Sequence, residues 1–404
     1  MKCVTIEALE KRECSGCEAC AQLCPVKCIS MKEDEEGFYY PVVDAEKCIS
    51  CGKCLKQCPQ YNILQGNTES DCYALVHSDK SVLKSSTSGG AFSIFAEKVL
   101  QENGVIYGCA MKKSTFAVSH MRAENYQELE ELKGSKYVQS RIEDTYTQAK
   151  RDLEEGRTVL FSGTPCQIAG LKAFLKKDYD KLFTCEVICH GVPSQRLWQK
   201  NIEYLSSVQN AEITSIKLRT KARKWAMYWE YSYQRDAAKA SCTAVKIADQ
   251  NQYYMAFLRG ESYRESCYAC NYARKERISD ITLGDYWGVD VFNPDFADPD
   301  GVSLVLLNSS KAKKLVNYIK QNAKVIPVSF DNAIKYNKNL VAPTPRPQKR
   351  DVAYKNISLD AKTIFESEPY ALSFKSKVKG LAKSFISVEF KWRIKKFLKL
   401  IKLK

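Results

Sequence analysis

The sequence predicts a protein of mixed α+β and α/β class, with a small cysteine-rich N-terminal module, a mixed α/β body and a basic helical C-terminal tail. Three observations carry this. Cysteines recur at fixed short spacings near the N-terminus, strand and helix patterns alternate from residue 72, and lysine concentrates at the C-terminal end. With 404 residues, 45% of them hydrophobic, the chain can bury a sizeable core and is long enough for two or three domains.

The N-terminus, "MKCVTIEALEKREC", lacks the apolar core of a signal peptide, and no stretch approaches the roughly 20 apolar residues of a membrane-spanning helix. The expectation is a cytoplasmic protein. Eighteen cysteines in a reducing compartment point to metal or redox chemistry rather than a disulfide framework. Near the start stands "CSGCEACAQLCP", with Cys14, Cys17, Cys20, Cys24 and Pro25, and then "CISCGKCLKQCP", with Cys48, Cys51, Cys54, Cys58 and Pro59. Both match C-x2-C-x2-C-x3-C-P, the bacterial ferredoxin run, in which three thiolates hold one 4Fe-4S cluster and the fourth ligates the other. The tight loop wraps three irons of a cubane while the fourth cysteine starts a helix leading to the neighbouring cube. Cys14, Cys17, Cys20 and Cys58 are therefore expected on one cluster, and Cys48, Cys51, Cys54 and Cys24 on the second. A zinc knuckle has no use for the third close cysteine or the proline. Cys3 and Cys28 fall outside the spacing and are expected to be non-ligands. Between the runs, "EDEEGFYYPVVDAEKC" reads as turn, short strand and turn, and "YNILQGNTES" as a linker closing a module over residues 1–68.

From residue 72 the periodicity changes. "CYALVHS" reads as a strand, and "SGGAFSIFAEKVLQENG" sets Phe92, Phe95, Ala96, Val99 and Leu100 on one helical face ended by Asn103-Gly104. "GVIYGCAM" and "AVSHMRA" follow as strands, "YQELEELKG" and "IEDTYTQAKRDLEEG" as helices, "TVLFSG" as a strand, "CQIAGLKAFLKK" as a helix and "FTCEVICHG" as a strand. Later, "ISDITLGDYWGV" reads as a strand with a tight turn, "GVSLVLLNS" as a strand and "KAKKLVNYIKQ" as a helix. This alternation predicts an α/β layout around a central sheet, divided into regions 69–155 and 156–344.

Three small-residue loops join these elements: "TSGG", "GSKY" and "SGTPC". Glycine lets a backbone approach a ligand, and free N–H groups at a helix start favour phosphate; each loop taken singly also reads as an ordinary turn. No G-x-G-x-x-G or P-loop pattern is present. Two clusters conduct single electrons and perform no two-electron chemistry, so the body is expected to hold the group that fills or drains them. A flavin suits that role because it handles electrons singly and in pairs.

In sequence order, "SGGAFS", "GSKYVQS", "SGTPCQIAGL", "CHGVPS", "CYAC" and "SDITLGDYWG" resemble the coenzyme F420 hydrogenase/dehydrogenase beta-subunit family, over about residues 1–310 and with the ferredoxin module fused in front. The resemblance implies FAD held across the three loops by Ser88, Gly89, Gly90, Gly134, Ser135, Lys136, Ser162, Gly163 and Thr164, with Lys136 meeting a phosphate or the isoalloxazine. It also implies a third 4Fe-4S cluster on Cys166, Cys189, Cys267 and Cys270. On spacing alone the Cys267–Cys270 pair reads equally as half a zinc knuckle or a redox dithiol. Asp285 and Trp287 are either a core turn or a substrate-facing wall. The function implied is an iron-sulfur flavoprotein oxidoreductase. It would pass electrons between a two-electron donor or acceptor, F420-like or another small molecule, and one-electron carriers. The alternatives are a non-catalytic electron-transfer subunit of a larger complex, or a ferredoxin-dependent reductase of a small organic substrate in polysaccharide or cofactor metabolism. No residue is singled out as catalytic.

Past "APTPRPQKR" lies the tail region, 345–404. Of the net charge of +15, residues 375–404 supply +10, with eleven Lys/Arg against Glu389 alone. So local a charge argues against a nucleic-acid-binding body. In "EFKWRIKKFLKLIKLK", Phe390, Ile394, Phe397, Leu398 and Ile401 share a helical face beside lysines, the pattern of a helix that lies on an anionic membrane surface, here the inner face, or clasps an acidic partner.

Overall fold

The computed structural model describes residues 4–235, 241–374 and 378. In the N-terminal module, α1 (Ala19–Leu23) and α2 (Lys53–Lys56) each begin inside a cysteine run, because Glu18 and Gly52 take left-handed backbone conformations that turn the chain into the helix. A two-stranded antiparallel ribbon, β1 (Ile29–Glu33) with β2 (Tyr39–Val43), lies between the runs.

The body is built on one eight-stranded mixed sheet. Its first elements are β3 (Asp71–His77), α3 (Lys80–Ser85), α4 (Ala91–Gln101), β4 (Val105–Met111) and β5 (Val118–Ala123). Next come α5 (Tyr126–Leu132), α6 (Thr145–Glu154), β6 (Val159–Gly163), α7 (Pro165–Leu175) and β7 (Leu182–Val187). After α8 (Gln195–Gln209), the strands β8 (Glu212–Lys217), β9 (Tyr228–Gln234) and β10 (Ser241–Ile247) form a separate antiparallel sheet of order β10-β9-β8, followed by α9 (Gln252–Leu258). β11 (Ile281–Asp285), β12 (Ser303–Leu307) and β13 (Ala323–Pro327) complete the large sheet, whose order is β13-β3-β12-β11-β7-β6-β4-β5. Its centre, β4-β6-β7-β11, is parallel, and antiparallel strands close both sides. The parallel centre is covered on both faces, so β6 reads as a continuous apolar run with Val159, Leu160 and Phe161 fully buried. The boundary expected at 155/156 runs through this sheet.

The strands and helices expected from residue 72 onward are present, with two departures. Phe92, placed by periodicity on the core face of α4, is only half-buried and lines a cavity, while Ile94 takes the core position. The helix expected over "KAKKLVNYIKQ" is broken into Ser310–Lys313 and Val316–Asn322, where the Leu315 N–H bonds the Ala312 carbonyl three residues back.

Buried cations fasten the N-terminal module to the body. Arg264, fully buried, donates to the carbonyls of Cys14 (2.6 Å) and Tyr39 (3.0 Å) and to Gln139 Oε1 (3.1 Å), with its guanidinium 4.0 Å from the Tyr40 ring centre. Arg141 pairs with Glu18 at 2.5 Å. The basic tail from 379 onward lies outside the described residues, and no described helix is long and apolar enough to cross a membrane.

Candidate redox site

The eight cysteines of the two runs gather in two groups. Cys17, Cys20 and Cys58 are buried, and their thiols, with Cys14 adjacent, are pushed upward in pKa first by burial and then by one another. Cys24, Cys48, Cys51 and Cys54 line one small pocket near the surface, where Cys51 is exposed. Cys28 lines the same pocket. Its Sγ is 3.4 Å from Cys24 Sγ, and its N–H donates to that sulfur at 3.4 Å, a bond of the kind that tunes cluster thiolates.

A second pocket is lined by Cys166, Cys189, Cys267 and Cys270 together, with Ser15 and Gln60 of the N-terminal module on its wall. These four cysteines come from the first turn of α7, the loop after β7 and the short 3-10 turn Glu265–Ala269 with its following residue. Burial and the neighbouring sulfurs push the Cys166 thiol up to about 11 and Cys267 up to about 12, and raise Cys189 and Cys270. Among the described residues no three His, Cys, Asp or Glu side chains converge on a single-ion point. The ligands of a cubane, by contrast, each bind a different iron and stand further apart. Four sulfur donors and no oxygen or nitrogen donor suit iron-sulfur chemistry.

The loop before α7 is held rigidly. Gln167 Oε1 accepts from the Thr164 N–H (3.0 Å), and Gln167 Nε2 donates to Ser140 O (3.1 Å). His120 Nε2 donates to Ser162 O (2.9 Å), and its Nδ1 accepts from Ser140 Oγ (3.0 Å). Burial pushes the His120 pKa down to about 4, so the ring is neutral near pH 7.

Beside the four-cysteine pocket lies a cavity of about 330 Å³ at the carboxyl ends of β6, β7 and β11. That is where open α/β sheets take their ligands. Of the nine residues expected around FAD, Ser88, Gly90, Gly134, Ser135, Lys136, Ser162, Gly163 and Thr164 line it. Gly89 does not. A Cβ there would meet Leu75 O at 2.1 Å and Ser303 N at 2.5 Å, so its missing side chain serves the crossing of the loop over β3 and β12. Gly90 (φ +87°) opens α4 without any side-chain cap, which leaves first-turn N–H groups facing the cavity. The start of α7, in contrast, is closed by its own Thr164/Gln167 capping box. Lys136 is spent locally. Its Nζ donates to the carbonyls of Glu131, Leu132 and Lys133 at the end of α5, and burial lowers its pKa.

At the far end of the cavity, Arg219 pairs with Asp285 (3.0 Å) and donates to Tyr137 OH (3.2 Å), while Trp287 stacks on Trp225 at 4.8 Å. Asp285 and Trp287 thus wall the cavity. Sequence reading misses Arg219, Arg264 and the His120–Ser140–Gln167 network, whose members are far apart in the chain; the only local hint of Arg219 is the basic stretch "KLRTKARKW". The cavity and the four-cysteine pocket share Thr164, Cys189, His190, Gly191 and Val192 as walls. On the other side, Gly170 of α7 comes so close to the Cys17 turn that a Cβ would meet Cys17 Sγ at 3.2 Å.

Thiol clusters in a ferredoxin-type module, docked on a mixed α/β body, define an iron-sulfur protein of oxidoreductase type. Residues 156–331 match the model of the family described as the C terminus of the coenzyme F420 hydrogenase/dehydrogenase beta subunit, and residues 13–62 and 40–103 match two 4Fe-4S dicluster domain models. The chain belongs to the coenzyme F420 hydrogenase/dehydrogenase beta-subunit family, with a 4Fe-4S dicluster module at its N-terminal end. Among curated proteins it is similar to ketoisovalerate oxidoreductase subunit VorC of Methanothermobacter marburgensis, 35% identical over 63 residues, 15% of this chain and 80% of that one. NADH-quinone oxidoreductase subunit I 2 of Geobacter metallireducens is 39% identical over 54 residues, 12% of this chain and 41% of that one. A chain of the F420-reducing NiFe hydrogenase complex from Methanosarcina barkeri superposes with a TM-score of 0.46 at 16% identity, over 68% of this chain and 90% of that chain.

Proposed function

We propose that this protein is an FAD-dependent iron-sulfur oxidoreductase that links a two-electron donor or acceptor to one-electron carriers. The observation that carries the reading is the shared wall between the glycine- and serine-lined cavity and the four-cysteine pocket, with that pocket in turn abutting the Cys17 turn. FAD bound in the cavity would supply the exchange between paired and single electrons.

The chain's own residues fit that group. The uncapped start of α4 offers N–H groups to a pyrophosphate, Gly134 (φ +87°) has open space where a side chain would project, and neutral His120 fixes the 162–164 loop. Arg219, Asp285 and Trp287 form the end wall where a small substrate would be oriented. Cys166, Cys189, Cys267 and Cys270 are the proposed holders of a third 4Fe-4S cluster. Cys14, Cys17, Cys20 and Cys58 would hold one ferredoxin cluster, and Cys24, Cys48, Cys51 and Cys54 the other. The division of the chain at about residues 68, 155 and 344 belongs to the same proposal, as does a role for residues 375–404 in bringing the protein to an anionic membrane face.

Anaerobic purification with iron, acid-labile sulfide and flavin quantitation, followed by titration with reduced F420, NADH and reduced ferredoxin, tests the reading. Bound FAD bleached by a soluble donor supports it. Protein that holds clusters but no flavin would reduce it to a mere conductor of electrons.

A further inference from the structure

The thiols of the Cys14 quartet are buried or half-buried, whereas the Cys24 quartet reaches the surface at Cys51. Around that opening the chain exposes apolar side chains that a stable monomer would ordinarily cover. Ile49 is 61% exposed and Val26 38%, with Pro25 exposed between the fourth cysteine and Val26. Lys27, Lys53 and Lys56 are exposed on the same two cysteine segments, and none has a carboxylate partner among the described residues. Lys47 is different, being held by Asp44 at 2.7 Å, and Glu46 is the one unpaired carboxylate on the stretch 44–56. Lys27 (φ +50°) and Ser50 (φ +51°) hold these turns in left-handed conformations that bring the apolar and basic residues to the rim of the pocket.

We propose that this rim is the docking face for a small acidic one-electron carrier protein. The inference rests on the redox reading above and adds the partner. An apolar centre with a basic border suits a transient electron-transfer contact, in which the small buried area gives weak affinity and charge complementarity supplies orientation and on-rate. A second copy of the chain would set lysines against lysines, so the charge selects an acidic partner over self-association. The exchange is one electron with no bond change: the carrier is oxidised by one electron as the cluster held at Cys24, Cys48, Cys51 and Cys54 is reduced by one, or the reverse.

The test uses the anaerobically reconstituted full-length protein and an acidic bacterial ferredoxin as probe. Affinity is measured by calorimetry at low and high salt, and the second-order electron-transfer rate by stopped flow. The K27E/K53E/K56E variant is expected to lose about tenfold or more in affinity and rate at low salt, with unchanged iron and sulfide content. A control, K338E/K355E/K362E, is expected to match the wild type. Equal affinity and rate in all three proteins, or wild type insensitive to salt, would overturn the docking face. A wild type that dithionite reduces but that neither binds nor exchanges electrons with the ferredoxin would overturn it as well, while leaving the redox reading intact. Failure of dithionite itself to reduce the protein would instead remove the redox reading and the docking face with it.

Discussion

At the scale of single residues, His120 shows how the cavity wall is kept both polar and rigid. Its two nitrogens are engaged by Ser162 O and Ser140 Oγ, and it is 3% exposed. Charging the ring would cost that desolvated position a compatible partner, so its pKa lies at about 4 in the folded protein against an ordinary value near 6.5. The folded state therefore holds fewer protons than the unfolded state between these values. The stabilising contribution is fully present above about pH 6.5 and is lost as pH falls through 4. His120→Gln should remove this dependence. On going from pH 7 to pH 5 the wild type is expected to lose about 2 kcal/mol more than the variant, measured as denaturant unfolding free energies. Glu186 and Arg277 behave differently, as a buried pair at 2.5 Å that ties the end of β7 to the segment after Cys270 through the carbonyls of Tyr272 and Arg274.

At the scale of elements, the two helices that open onto the site divide the work. The start of α4 is uncapped and faces the cavity, whereas the start of α7 satisfies its own amides and presents Cys166 instead. This division makes two separable predictions. Replacing Cys166 and Cys270 together by serine should lower iron by about four per chain while leaving the ferredoxin-type eight loaded, read by iron and sulfide analysis with electron paramagnetic resonance of the reduced protein. Ser135, half-buried on the loop after α5 and lining the cavity, tests the other side. Ser135→Phe should fill flavin space and cut FAD content about tenfold at unchanged iron, a loss that matches the one or two kcal/mol expected of a steric intrusion. If iron and flavin fall together in either variant, the two compartments are not independent.

At the scale of the whole molecule, the N-terminal module is locked to the body rather than tethered to it. Arg264, Arg141 and Gln139 cross the junction through bonds to Cys14 O, Tyr39 O, Glu18 and Ser15 O. Such bonds hold the Cys17 turn against α7. The tail makes a prediction that belongs to the assembly as a whole. Deleting residues 375–404 removes +10 of the +15 net charge and should abolish co-sedimentation with anionic liposomes while leaving the cofactor content intact.

What can be read from the chain alone is whatever is encoded over short range. The 4Fe-4S dicluster module is legible because its cysteines are two or three residues apart, and a loop that short has few ways to present them. The alternation of β3, α4, β4, β5, α5, α6, β6 and α7 is legible because each element carries its own periodicity. The sheet β8-β9-β10 escapes such reading, since half-exposed strands such as β10 offer little apolar alternation to detect. Tertiary structure alone decides that Cys166, Cys189, Cys267 and Cys270 share one pocket, that Gly89 faces the sheet rather than the cavity, and that Arg219 and Arg264 are buried at the two ends of the site. These depend on segments brought together by the packing of the sheet, and no local spacing records a contact made a hundred residues away.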